Sequence, residues 1–67
     1  MTQLTLLSNR LLNKKAIITT LGHKPFIGKI VGLDALWIAI ERDNSIIVVP
    51  IYNVVMIEME KKEWERG

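Results

Sequence analysis

The chain has no cysteine in 67 residues, which excludes disulfide stapling and any cysteine-ligated zinc or iron-sulfur site. Its one histidine, His23, lies in a predicted turn with no acid beside it, so no metal-ligand set or nucleophile–base pair can be assembled around it. Asp34 and Asp43 have no spacing that marks an acid–base pair, and turn-ordering roles suit both. Gly28 and Gly32 are followed by strand-like sequence rather than a helix, so they do not form a phosphate loop. No enzymatic activity, cofactor or metal is expected. No apolar run approaches the ~20 residues of a bilayer span, and the N-terminus lacks a charged start and small-residue cleavage site. A soluble, cytoplasmic protein with no membrane partner is the expectation.

Acids are also missing from the first half. Residues 1–33 carry Arg10, Lys14, Lys15, Lys24 and Lys29 with no aspartate or glutamate, whereas residues 34–67 carry seven acids and four bases. This asymmetry points to one basic face suited to an anionic partner and an acidic remainder. Ordinary solvated surface is the alternative reading of five bases.

What is abundant is apolar side chain, 49% of the sequence. A domain this small buries only about 60% of the surface its unfolded chain exposes, and without disulfides or metal the common remaining support is oligomerisation. Leu4, Leu7 and Leu11 recur at helical spacing, Thr2 or Thr5 is placed to cap, and Lys14 and Lys15 stand where cations favour a helix C-terminus. A helix is therefore predicted over 1–15. Strands follow from Ala16 to Leu21, Phe26 to Leu33, Leu36 to Glu41, Ile46 to Val49 and about Tyr52 to Met59. Turns are expected at Gly22–Pro25 and Arg42–Ser45, and Pro50 marks a sharp break. The charged residues 60–67 read as a frayed tail.

Two features single out this β-rich pattern. Glycines within a strand weaken it unless the backbone bends or approaches a neighbour closely, so Gly28 and Gly32 read as corners. Ile46, Ile47, Val48 and Val49, like Val54, Val55, Met56 and Ile57, offer no polar face at all. A small antiparallel sheet shows polar residues on its wet side, and bare apolar strands aggregate. Pairing with another subunit explains both segments; cover by the helix and tail of the same chain is the alternative. Of the four aromatics, Phe26 reads as core, Trp37 as interface or stacking surface, and Tyr52 as a loop residue able to meet a ligand. Trp64 falls in the charged tail.

Phe26-Ile-Gly-Lys-Ile-Val-Gly-Leu-Asp34 resembles the first motif of the Sm-like family, which includes bacterial Hfq. The stretch 34–40 is similar to the Hfq strand after its aspartate, and Asn53-Val-Val-Met-Ile57 looks like the closing strand of the second motif. The similarity covers roughly residues 4–59. It implies a single mainly β domain: an N-terminal helix, then a five-stranded, strongly bent antiparallel small barrel over 16–59, assembling into a homo-oligomeric ring of six or seven subunits through its fourth and fifth strands. It also implies non-catalytic binding of single-stranded RNA by loops near the pore, at Asp34, Leu36, Tyr52 and Asn53, and by a basic helix face with Arg10, Lys14, Lys15 and Lys24. Where Sm proteins carry Arg-Gly this chain has Pro50-Ile51, which fits a second expectation, a scaffolding ring serving protein partners. Glycine-bent barrels also include SH3-like domains, and a DNA-binding small barrel is a third possibility.

Overall fold

The computed structural model describes residues 9–66. Leu4, Leu7 and the capping threonines therefore lie outside the described residues. Five strands form one antiparallel sheet: β1 (Lys15–Thr20), β2 (Phe26–Leu33), β3 (Trp37–Arg42), β4 (Ser45–Pro50) and β5 (Val54–Glu58), in the order β4-β3-β2-β1-β5. A 3-10 turn, Ile51–Asn53, joins β4 to β5, and a short helix, Lys61–Glu65, closes the chain.

Side chains alternate across a strand, and the central strands use this cleanly. Ala16, Ile18 and Thr20 of β1, Gly28 and Ile30 of β2, and Ile38 and Ile40 of β3 turn inward. Ile18, Ile30, Ile38 and Ile40 are fully enclosed, each contributing about 1.5–3 kcal/mol of transfer free energy. Ile30 stands directly opposite Ile40 and Leu33 opposite Ile38, so the core is a cross-strand isoleucine cluster. Gly28 is needed for it: a Cβ there would collide with the Ile40 Cγ2 methyl and lie 2.9 Å from the Glu41 carbonyl oxygen. Gly32 does different work, sitting beside a register shift between Ile30 and Gly32, the kind of irregularity that bends a strand.

The sheet is open, with β4 and β5 as its two free edges. In a flat sheet these edges would stand roughly 19 Å apart. The three residues of the connecting 3-10 turn advance only about 6 Å. The sheet must therefore curve strongly, helped by the β2 irregularity and by a second one between Thr19 and Thr20.

Two expectations need correction. The helical backbone expected to reach residue 15 stops at Leu11; Asn13 adopts a left-handed φ of 66° and Lys15 already begins β1. Asparagine tolerates this C-terminal cap conformation better than most side chains. The tail, expected to fray, is docked. Trp64 packs against the core, and the Lys14 Nζ donates to the Glu63 carbonyl at 2.8 Å, at the negative end of the C-terminal helix. The Arg10 guanidinium lies 4.7 Å from the Trp64 ring centroid. The Glu63 carboxylate accepts from the Lys15 backbone N–H at 3.2 Å and from Arg66 at 2.7 Å.

Candidate nucleic-acid interface

Tyr52 lies in the 3-10 turn rather than in a strand, because Pro50 ends β4 and β5 starts only at Val54. This turn meets the β2–β3 loop. The Ile51 N–H donates to the Leu36 carbonyl at 2.8 Å, Trp37 pairs with Pro50 in register, and the Leu21 N–H donates to the Asn53 carbonyl at 2.9 Å. The fold thus brings Asp34, Leu36, Tyr52 and Asn53 to one end of the molecule. Leu36 is 68% and Tyr52 80% exposed, with Trp37 and Leu21 also open to solvent. Leu21 had no sequence signal beyond ending a strand.

Asp34 orders this end. Its Oδ1 accepts from the Leu36 N–H at 2.8 Å and the Trp37 N–H at 2.9 Å, while its own N–H donates to the Trp37 carbonyl. The two side-chain bonds, Leu36 first, hold its carboxyl below the usual carboxylate range. Its carboxylate therefore fixes the loop, with Leu36, Trp37 and Tyr52 exposed around it. No basic side chain occurs within 34–37 or 50–53.

The cations divide sharply. Lys14 is buried, with its ammonium on the carbonyls of Glu63 and Trp64, which takes it off the basic face. Arg10 is exposed but lies over Trp64 and donates to that residue's carbonyl. Lys15 and Lys29 are exposed in the sheet, and Lys24 is exposed in the β1–β2 loop next to His23. Beside Lys15 the Glu63 carboxyl is held low, chiefly by the Arg66 side chain and then by the Lys15 N–H. Among the described residues no group of three His, Cys, Asp or Glu side chains could hold a metal ion. No helix among them is long and apolar enough to cross a membrane.

The eight residues expected to pair subunits separate by exposure. Ile47, Val49, Val54 and Ile57 are half-buried, three of them resting on the core together with Leu33 and Phe26. Ile46 and Val48 on one free edge, and Val55 and Met56 on the other, are each more than half exposed. Among the described residues, neither the helical turn ending at Leu11 nor the C-terminal helix covers these four. No protein-family model, no curated protein and no solved structure matches this chain.

Proposed function

We propose that the protein is a non-catalytic, cytoplasmic, Sm-like homo-oligomer that binds single-stranded RNA, its curved sheet acting as a small barrel in a ring of six or seven subunits. The observation that carries the RNA reading is the meeting of the β2–β3 loop with the 3-10 turn, which gathers Leu36, Trp37 and Tyr52 on one exposed end. Aromatic rings open to solvent are platforms on which unstacked bases bind, and small β folds commonly present them. The ring is supported by the two free apolar edges, since a β4 edge can continue into the β5 edge of a neighbour and the head-to-tail contact closes on itself.

A scaffolding ring for protein partners is the second reading. It is favoured by the lack of any cation within 34–37 and 50–53 and by the inward turn of Lys14. Native mass spectrometry of protein purified at low salt separates the two. A six- or seven-fold mass carrying nucleotide is expected for the RNA reading. A bare ring selects the scaffold, and a monomer overturns the assembly.

A further inference from the structure

A wide groove is bounded by β1, β2, β3 and the C-terminal helix, lined by Lys15, Lys29 and Glu41 from the outer face of the sheet and by Phe26 and Arg42 from the inner one. In the antiparallel register Lys15 of β1 stands directly opposite Lys29 of β2. Like charges placed this way repel and destabilise a sheet. Among the described residues neither lysine forms an ion pair; the ion pairs present are Arg66 with Glu63 and Lys62 with Glu60. Arg42 lines the same groove, its guanidinium held 5.5 Å from the Phe26 ring centroid and likewise without an ion pair. The acids present are Glu41, opposite Lys29 but not paired with it, Asp43 in the hairpin turn, and Glu63, which Arg66 already neutralises.

An exposed lysine pair held in register by backbone hydrogen bonds is a preformed anion contact: a phosphate between the two ammonium groups replaces repulsion with two attractions. We infer that this groove is the phosphate track of the RNA-binding surface, with Lys15 and Lys29 on the outer face sharing a backbone phosphate and Arg42, reaching the groove from the inner side over Phe26, contacting the phosphate beside it. The inference rests on the RNA reading above. It assigns the electrostatic part of binding to strand residues, because the segments 34–37 and 50–53 carry no cation and Lys14 faces inward.

Fluorescence anisotropy with dye-labelled oligo(U) and oligo(A), titrated against salt with the full chain, tests it. In single-strand binding each lost phosphate contact lowers the slope of log affinity against log salt by about 0.7. The Lys15→Gln/Lys29→Gln double variant is expected to bind at least tenfold more weakly at low salt, with a slope reduced by about 0.7, since the two lysines share one phosphate. Arg42→Gln, which gives up the neighbouring phosphate, is expected to reduce the slope by about the same amount. The Lys61→Gln/Lys62→Gln variant makes the same charge change on the C-terminal helix and is expected to match wild type. If wild type binds and the Lys15/Lys29 variant keeps its affinity and slope, the groove assignment falls while the RNA reading stands. An equal loss in the Lys61/Lys62 variant also overturns it, as diffuse charge. If wild type binds neither oligomer, both fall together.

Discussion

The central strands and the edge strands of this sheet have similar apolar content and opposite manners. β1, β2 and β3 bury isoleucines on the inner face and set Lys15, Lys29 and Glu41 in a row across the outer face, among exposed Ile17, Ile27 and Val31. β4 and β5 have no polar residue within 46–49 or 54–57, and their outward residues Ile46, Val48 and Met56 are as apolar as their inward ones. A polar outer face is the mark of a strand with one wet side. That face is mixed at the centre of the sheet and wholly apolar along those two edge stretches.

The largest effect is expected at the centre. Ile40→Ala leaves a cavity against Ile30 and above Gly28 and should cost about 2–5 kcal/mol in urea unfolding. If the loss is below 1 kcal/mol, the isoleucine cluster is not the core. Next comes the contrast between adjacent lysines. Lys14→Met removes charged hydrogen bonds to the carbonyls of Glu63 and Trp64 and should cost about 1.5–3 kcal/mol, with Trp64 fluorescence shifting to the red. Lys15→Met should stay within about 0.5 kcal/mol. Equal effects would mean the C-terminal helix is not held by Lys14. At the edge, Val48→Lys should change single-chain stability by no more than about 0.5 kcal/mol, yet lower the subunit number seen by sedimentation. An unchanged assembly would remove β4 from the interface.

The smallest effect is electrostatic. The folded-state carboxyls of Asp34 and Glu63 lie below their usual range. Their contribution is therefore complete above the unfolded value, near pH 4, and is lost as pH falls through the lowered folded values. Asp34→Asn should lower the neutral plateau slightly and flatten the acid side of the stability profile, so that variant and wild type converge at low pH. A profile unchanged below pH 4 would show that the Leu36 and Trp37 bonds do not persist in solution.

These contrasts explain what the sequence made legible. β2 was readable end to end because its period-two pattern and glycines reflect local backbone needs, and the inward set of β3 followed from the same alternation. The ends of the chain were not. Lys14 and Lys15 are chemically identical neighbours, and only the left-handed turn at Asn13 decides that one enters the interior and the other opens onto the sheet face. The tail looked solvated because six of its eight residues are charged. Its order comes from Trp64 and from contacts some fifty residues distant in sequence, to Arg10, Asn13, Lys14 and Lys15. For the loop end, Leu36 and Tyr52 could be named singly. Their meeting depends on the short link between β4 and β5, and no local pattern encodes it.

That link also sets an order of events. β1 through β4 form a meander of neighbours, each able to pair as soon as its hairpin turns. β5 must instead reach across to β1, joining Ile57 to Ile18 over 39 residues of chain, and it can do so only after the sheet has curved. The β1–β5 seam is therefore the last to zip and the first to open. Amide protons along it should exchange with solvent faster than those between β2 and β3.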